Sequence, residues 1–425
     1  MLARAIRRVL TEDGGAPVRA AAVRIRGRAS QPTDCEHAPR ALYTAGVSTK
    51  RPTLRTFLRG VAILAIPMAL ALLFAETSGP DMFDGERAAW LRHADAVADW
   101  ALTESGSGVN STGSERFDGE WDLVGCQMTV LGLSQVATRF PDTAEGYLPA
   151  MEVCLDWMLT PAGRSFGESA WGVDALVDPA GSDRLGPTQA WLGYLGTALG
   201  AHRRIAPESR YATQHDAMIE GFAAALAAPI HTFRTYPGES YPPDQAVVAG
   251  AVGLHDLALG TDRWAETLAD WEARFRAAAV DPDTGMLVQS VSPHGRGWID
   301  GPRGSGTAFA AYFLSFSNPA LSADLYRALE HGDFLGYGAV LEYPPGVSGH
   351  GDIDSGPVLF GVSVSATGFG LAGARIHGDR ARWQQSWRTA TLFGVPVPRD
   401  GGRWFLTGGG LGNAILLAML TAGPL

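Results

Sequence analysis

Two carboxylates stand close together in a stretch that contains too much glycine for regular structure. Residues 348–358 read SGHGDIDSGPV, so Asp352 and Asp354 lie among glycines, serines and a proline. Such residues favour turns, and an apolar run of small residues follows at once. We predict a loop that leads into a buried helix, with Asp354 or Ser355 as its N-cap and Pro357 in its first turn. One cap explains only one of the two acids, so we assign Asp352 and Asp354 to acid/base catalysis.

A second group of candidates lies in ESYPPD, residues 239–244. Asp244 directly precedes another apolar run, where it could cap a helix or act as the second carboxyl group of an acid/base pair. We assign Asp244 and Tyr241 to catalysis and Glu239 to substrate binding. In inverting glycoside hydrolases the paired carboxyl groups lie roughly 6.5–9.5 Å apart, a distance that the sequence does not fix.

The remaining candidates for substrate binding come from other polar, glycine-rich stretches. Arg303 is the only cation in GPRGSG and could bind a substrate or pair with Asp300. The aromatic candidates could stack on sugar rings or fill the rim of the site. We assign to substrate binding Glu239, Gln189, Arg303, Trp121, Trp171, Tyr343 and Ser355. We expect no metal and no cofactor, because the chain has no CxxC motif or Cys/His cluster and no strand precedes the glycines of TGGGLGN.

Helices must position these residues, since helical periodicity fills the chain from residue 84 onward. Charged amphipathic segments, such as 87–102, alternate with nearly charge-free segments rich in Gly, Ala and Ser, such as 245–259. A helix with one charged face suits the outside of a fold, and a helix that is apolar all round suits its interior. The twelve predicted segments are 84–104, 119–138, 143–161, 185–204, 208–228, 243–259, 262–279, 304–316, 319–331, 355–377, 380–394 and 408–421.

Six pairs of one charged and one apolar helix predict an all-α fold, an (α/α)6 toroid of about twelve helices over residues 80–425. The apolar helices would form the inner ring and the charged helices the outer ring, with an open α-solenoid as the alternative. In a toroid the polar loops that lead into the inner helices converge on one mouth, among them FDGEWD, residues 117–122. That mouth would bring Asp244 together with Asp352 and Asp354.

The N-terminal part of the chain contains an uncharged apolar run, residues 60–75, that follows Arg51, Arg55 and Arg59. Basic residues before an apolar run are typical of a signal peptide or a signal anchor. Leu73 fits a small-x-small cleavage site poorly, so we predict an uncleaved transmembrane or signal-anchor helix. A buried core helix is the alternative.

This anchor would divide the chain into a disordered basic cytoplasmic tail, residues 1–56, an anchor, residues 57–79, and an extracytoplasmic domain, residues 80–425. Outside the cytoplasm Cys126 and Cys154 could form a disulfide or pack as two buried thiols. The chain has a net charge of −10, and residues 80–425 hold 22 Lys and Arg against 39 Asp and Glu. Such an acidic domain argues against nucleic-acid binding.

The order of segments resembles the linalool dehydratase/isomerase family, an (α/α)6 toroid, over roughly residues 184–421. The stretches SYPPDQAVVAGAVGLHDLALGTDRW, AAVDPDTGMLVQSVSPHG and NPALSADLY carry the resemblance. Asp244 falls on the Pro-Asp pair of that family, and Gln189 falls near its histidine. Ser240 and Ala249 stand where the family has its two cysteines. The resemblance implies a divergent member without thiol chemistry and allows a homo-oligomer.

These observations predict a membrane-anchored, extracytoplasmic enzyme that uses carboxyl groups as acid and base on a polyhydroxylated substrate. The favoured substrate is a glycan, and the reaction would be that of a hydrolase, lyase or epimerase. The alternative is a dehydratase/isomerase of a small or terpenoid alcohol, with a narrow pocket lined by Phe309, Phe313 and Met128. A second alternative is a non-catalytic glycan-binding or envelope protein, in which the acids lie too far apart to cooperate.

Overall fold

The computed structural model describes residues 54–105, 115–174, 189–229, 234–292 and 297–423. The chain divides into two compact units, residues 1–55 and 56–425, and the first lies almost wholly outside the described residues. The predicted basic tail therefore falls outside them too, except at its end. The fold reported below is that of the second unit.

Most of the described chain is helical. The helices are α1 (Leu54–Asp84), α2 (Arg87–Glu104), α3 (Glu115–Arg139), α4 (Ala144–Leu159), α5 (Pro161–Trp171), α6 (Gln189–Ile205), α7 (Ala212–Ala227), α8 (Pro242–Leu259), α9 (Ala265–Ala279), α10 (Gly304–Leu314), α11 (Pro319–Ala328), α12 (Val364–Ile376), α13 (Arg380–Gly394) and α14 (Gly409–Thr421). The strands are β1 (Val288–Val291), β2 (Trp298–Pro302), β3 (His331–Phe334), β4 (Tyr337–Val340), β5 (Pro396–Arg399) and β6 (Gly402–Phe405).

Helices α3, α6, α8, α10, α12 and α14 form a closed inner ring, because each packs against the next and α14 packs back against α3. Helices α2, α4, α7, α9, α11 and α13 lie outside this ring, each against at least one inner helix that neighbours it in sequence. Over the described ranges the chain thus supplies six inner and six outer helices. The predicted (α/α)6 toroid is confirmed, and the contact between α14 and α3 rules out an open solenoid.

The inner helix α8 is buried on every side over most of its length, as its near lack of charge predicted. In α8 every residue from Pro242 to Asp256 is buried. Glycine lets such helices approach closely, and a Cβ atom at Gly253 would lie only 2.3 Å from the carbonyl oxygen of Phe316. Since real Cβ atoms do not come that close to a backbone oxygen, this glycine sets the distance between α8 and the end of α10.

Three short antiparallel hairpins, which the helical periodicity did not predict, lead into three of the inner helices. β1–β2 precedes α10, β3–β4 precedes α12 and β5–β6 precedes α14. Strands of four or five residues are too short for their alternation to stand out from a helical pattern. The first hairpin contributes to the site described below, because β1 carries Gln289.

Helix α12 begins later than predicted, at Val364. Between residues 356 and 361 several residues have a positive φ, which interrupts a right-handed helix. Ser363 is the N-cap, and its hydroxyl oxygen accepts a hydrogen bond from a first-turn amide at 3.1 Å. The prediction that Asp354 or Ser355 caps this helix is therefore wrong.

Helix α3 begins earlier than predicted, at Glu115, so that FDGEWD, residues 117–122, is part of the helix and not a loop. Gly119 suggested a loop, but its position in the helix serves packing, since a Cβ atom there would lie 3.2 Å from the Cβ of Phe166. As a result Trp121 projects from a helix rather than from a loop.

No helix in the described part of the chain is both long and apolar enough to cross a membrane, in contrast to the transmembrane helix predicted at 57–79. The second half of α1 packs on the toroid instead. Tyr337 Oη donates to the Met68 carbonyl oxygen at 2.5 Å, and Gln384 Nε2 donates to that of Ala75 at 3.0 Å. Ala75 and Met82 are buried on the side of this half that faces α13, which lies far downstream in the sequence, whereas Ile66, Leu70 and Leu73 are exposed.

The two cysteines of the domain are both free and both buried, Cys126 in α3 and Cys154 in α4. A hydrogen bond with Cys154, followed by burial, raises the pKa of the Cys126 thiol. Of the two alternatives, the structure therefore contains the pair of packed thiols.

Candidate active site

A cavity of about 450 Å³ lies in the ring, and the N-terminal halves of all six inner helices contribute to its wall. This volume is within the roughly 300–1,000 Å³ that is usual for small-molecule sites. Five carboxyl groups line it, those of Glu120, Glu239, Asp244, Asp352 and Asp354, and its described lining contains no lysine or arginine. The structure thus brings the predicted acids at 244, 352 and 354 to a single cavity.

Asp244 lies in the first turn of α8 and is largely buried. Tyr194 Oη, from α6, lies 3.1 Å from Asp244 Oδ1 and 3.2 Å from Glu120 Oε1 of α3. Tyr236 Oη donates to the same Glu120 oxygen at 2.6 Å. Two carboxyl groups on different inner helices therefore share one tyrosine hydroxyl, a closer arrangement than the typical 6.5–9.5 Å pair of an inverting hydrolase.

Asp354 reaches the cavity from the loop between β4 and α12. Gln289 Nε2, on β1, donates to Asp354 Oδ2 at 3.1 Å. The side chain of Asp354 is accessible to water in the cavity, yet protein surrounds the carboxyl group. Asp354 is thus an exposed residue whose carboxyl group nevertheless has few water neighbours, because protein atoms crowd around it.

Three of the carboxyl groups that line the cavity have raised pKa values that differ from one another. Burial raises the pKa of Asp244 to about 6, with hydroxyl donors such as Tyr194 opposing the rise. Burial, and then the charges of Asp352 and Asp244, raise the pKa of Asp354 to about 7. Burial, and then the charges of Asp354 and Asp244, raise the pKa of Glu120 to about 8. Near neutral pH the cavity thus holds both ionised and protonated carboxyl groups, as acid/base chemistry requires.

Asp352 lines the cavity but is engaged in holding its own loop. Its Oδ1 accepts hydrogen bonds from the amides of Asp354 and Ser355, both at 3.0 Å. Its Oδ2 accepts from Arg303 Nη1 at 2.9 Å. With one oxygen in a turn and the other in an ion pair, Asp352 orients Asp354 more than it faces a ligand.

Arg303 lies behind the cavity wall as the N-cap residue of α10. Its guanidinium group pairs with Asp300 at 2.5 Å and with Asp352 at 2.9 Å, and it lies 5.3 Å from the centre of the Tyr343 ring. Of the two alternatives considered for Arg303, the structure contains the pairing with Asp300. Arg303 and Tyr343 fasten the loop before α12 and do not line the cavity.

The other predicted residues in the cavity are aromatic or belong to the turn before α8. Trp121 and Tyr241 line the cavity, as does Glu239. Tyr241 Oη donates to Glu239 Oε2 at 3.1 Å. Burial, and then the charge of Glu239, raise the pKa of the Tyr241 hydroxyl, so this side chain is a hydrogen-bond donor rather than a base.

Some predicted residues lie elsewhere. Ser355 is fully buried, and its hydroxyl donates to the Gly356 carbonyl oxygen at 2.9 Å and accepts from a backbone amide within the loop. Trp171 ends α5 and is not in the cavity wall. Helix α6 begins at Gln189, whose side chain lies outside the described residues.

The narrow apolar pocket expected for a dehydratase does not form from the residues named for it. Phe309 lines the cavity, but Phe313 and Met128 are fully buried in the core. In the described residues, no group of three or more His, Cys, Asp or Glu side chains is arranged to hold a metal ion.

Sequence reasoning missed four polar residues of the site, Glu120, Tyr194, Tyr236 and Gln289. Glu120 lies within FDGEWD, which the sequence predicts to be a loop and which is part of helix α3. Tyr194 is a single polar tip in the apolar segment of α6, and Gln289 lies on an unpredicted strand. A buried tyrosine usually has a partner for its hydroxyl, which was the one signal that could have singled out Tyr194.

No family model and no curated protein matches the chain. Among solved structures it is similar to a family 76 glycoside hydrolase from a bovine Bacteroides thetaiotaomicron strain, at 10% identity and a TM-score of 0.44, over 71% of this chain and 68% of that one. It is also similar to the GH76A alpha-1,6-mannanase from Salegentibacter sp. HEL1_6, at 14% identity and a TM-score of 0.47, over 78% of this chain and 98% of that one.

Similarity at this level does not identify an activity. The expected membership of the linalool dehydratase/isomerase family is not supported, because no family model matches the chain. The stretch SYPPD, which carried part of that resemblance, marks the start of the inner helix α8.

Proposed function

We propose that the protein is a hydrolase that cleaves a glycosidic bond in a neutral glycan bound in this cavity. The observation that carries the proposal is a set of carboxyl groups in one cavity whose pKa values differ. Of these, Glu120 lies on the inner helix α3 and Asp244 on the inner helix α8. A pair of carboxyl groups, one protonated and one ionised, is what glycosidic-bond hydrolysis needs. A lyase or an epimerase could use the same pair, and the products of the reaction distinguish the three.

In this proposal Asp354 is the general acid and Asp244 is the base or nucleophile. The pKa of Asp354, raised to about 7 by burial and by the charges of Asp352 and Asp244, leaves it largely protonated in mildly acidic solution. The pKa of Asp244, raised by burial only to about 6, leaves that group ionised first as the pH rises. The window between the two values sets the expected pH optimum.

The cavity wall suits a neutral sugar better than an anionic one. Trp121, Tyr241, Phe309 and Phe369 present aromatic surface on which sugar rings can stack. Five carboxyl groups and no lining cation would repel uronic acids, sulfates and phosphates. An extracytoplasmic location stays a prediction from the sequence, and export of a reporter fused to the full chain would test it.

The test is an assay of reducing ends released from a panel of neutral polysaccharides, with Asp244→Asn and Asp354→Asn as variants. We expect each variant to lose at least about 100-fold in turnover, the usual contribution of a general acid or base, with a melting temperature that does not fall. Asp262→Asn is the matched control, since Asp262 is an exposed acid beside an outer helix. Full activity in both site variants, or binding of glycans by the wild type without any turnover, would refute the proposal.

A further inference from the structure

One tyrosine hydroxyl, which has a single proton, lies between two carboxyl groups in the wall of the cavity. Tyr194 Oη is 3.2 Å from Glu120 Oε1 and 3.1 Å from Asp244 Oδ1. It can donate to only one of these oxygens at a time. The second contact is a hydrogen bond only when that carboxyl group is protonated and donates to the tyrosine oxygen. Both contacts are hydrogen bonds at the same time only if the two carboxyl groups carry at least one proton between them.

The surroundings decide which carboxyl group carries that proton. Tyr236 Oη donates to Glu120 Oε1 at 2.6 Å, and Tyr194 is itself buried. The pKa of Glu120 is raised to about 8, by burial first, and that of Asp244 to about 6. Between these values Glu120 is protonated and Asp244 is ionised. Tyr236 can then donate to Glu120, Glu120 to Tyr194, and Tyr194 to Asp244.

We propose that Glu120, Tyr194 and Asp244 form one unit that shares a single proton, in which Glu120 and Tyr194 are positioning residues for the Asp244 carboxylate. When the proton moves, the Tyr194 O–H bond breaks as an Asp244 O–H bond forms. The Glu120 O–H bond breaks as the Tyr194 O–H bond is restored. The negative charge passes from Asp244 to Glu120, and no other reactant is needed.

Other charged and titratable groups face this unit, and most of them favour retention of the proton. They are Asp352 and Asp354 from the loop before α12, and Glu239, Tyr236 and Tyr241 from the turn before α8. The carboxyl groups among them oppose a second negative charge on the unit, whereas Tyr236 donates to Glu120 and lowers its pKa. Arg303, behind Asp352, acts on Asp354, whose pKa it lowers.

The inference rests on the proposed function only where it gives Asp244 a role in a reaction. The proton shared by Glu120, Tyr194 and Asp244 does not depend on which reaction the protein catalyses. It can therefore be measured without a substrate. The readout is an infrared titration of the full chain that follows the protonated-carboxyl band, with each step assigned by substitution. Glu120→Gln should remove the step of highest pKa and leave the step of Asp244 almost unchanged.

Two tyrosine variants provide the matched comparison. Tyr194→Phe removes a donor from the Asp244 carboxylate, so we expect the pKa of Asp244 to rise by about one, the usual effect of losing a hydrogen bond to a charged group. Tyr236→Phe removes a donor from Glu120, so it should raise the pKa of Glu120 and leave that of Asp244 in place. Circular dichroism and the melting temperature confirm that each variant folds.

Two results would overturn the inference. One is a titration in which Glu120→Gln removes no step above pH 7. The other is a pKa of Asp244 that responds to Tyr236→Phe as strongly as to Tyr194→Phe. A chain that shows the expected titration but cleaves no glycan would refute the proposed function and leave the shared proton standing.

Discussion

The closure of the inner ring depends on the absence of side chains at a few contacts, and Gly253→Ala tests this most sharply. Gly253 lies in α8, the helix that carries Asp244 in its first turn. A Cβ atom at this position would lie 2.3 Å from the Phe316 carbonyl oxygen and 2.5 Å from the Ser317 Cα. Both neighbours are backbone atoms, which cannot move aside as the tip of a side chain could. The helix itself, or the end of α10, would have to shift.

The expected magnitude follows from two opposing effects. Alanine in place of glycine inside a helix contributes about 0.5–1 kcal/mol of stability through the lower entropy of the unfolded chain. Overpacking a tight contact costs roughly 1–3 kcal/mol, and a contact with backbone belongs at the upper end. We therefore expect Gly253→Ala to lower the free energy of unfolding by about 1–2 kcal/mol.

The control for this variant is Gly368→Ala, in the inner helix α12. A Cβ atom at Gly368 would meet nothing within 4 Å, so only the entropic gain remains and stability should rise by about 0.5–1 kcal/mol. Urea denaturation followed by tryptophan fluorescence measures both, and an unchanged slope shows that the midpoints report stability. If Gly253→Ala proves as stable as Gly368→Ala, the close approach of α8 to α10 is wrong, and with it the placement of Asp244.

Three further predictions follow from the site and the core. Arg303→Gln should raise the pKa of Asp354, because the guanidinium group lowers it, and should move the alkaline limb of a pH–rate profile, which the general acid sets, to higher pH. Glu120→Gln should gain stability relative to the wild type between about pH 5 and pH 9 in urea titrations, because a carboxyl group with a raised pKa in the folded state destabilises the fold as it ionises. Cys126 and Cys154 are buried, so a thiol reagent should label both only at the rate of unfolding.

Each of these predictions has a result that would contradict it. An unchanged pH profile in Arg303→Gln would mean that the guanidinium charge does not reach Asp354. For Glu120→Gln, the pKa of Glu120 is about 8 in the fold and 4.5 in the unfolded chain, so the wild type must lose stability relative to the variant as the pH rises from one value to the other. A wild type that gains stability relative to the variant over this pH range would contradict the prediction. Rapid labelling of either thiol in the native protein would show that the interface of α3 and α4 opens.

Local sequence patterns predicted the helices well because each pattern reflects an environment. The charge-free segment of α8 is buried throughout, and the charged segment of α9 lies outside the ring. Helix ends were predicted less well, since they depend on single residues. Ser363, which caps α12, is one of several serines in that stretch, and only the positive φ values before it exclude the earlier candidates.

The same limit explains the error at the N-terminus. An apolar run after basic residues has the same composition whether its apolar face meets lipid or protein. The buried side of α1 packs against α13, which is about 300 residues away in sequence, and no local pattern could report that contact. Tertiary structure alone distinguishes the two.

The sequence by itself determined the ring, the start of the inner helix that carries Asp244 and the loop in which Asp352 and Asp354 lie, because burial and turn formation leave a record in residue type. Tertiary structure decided what these acids can do. Glu120 becomes part of the site only when α3 lies beside α6 and α8, so that one hydroxyl of Tyr194 reaches both carboxyl groups. The pKa of a carboxyl group depends on its solvation and on its distance from charges on other helices. Those distances are set only when the ring has closed.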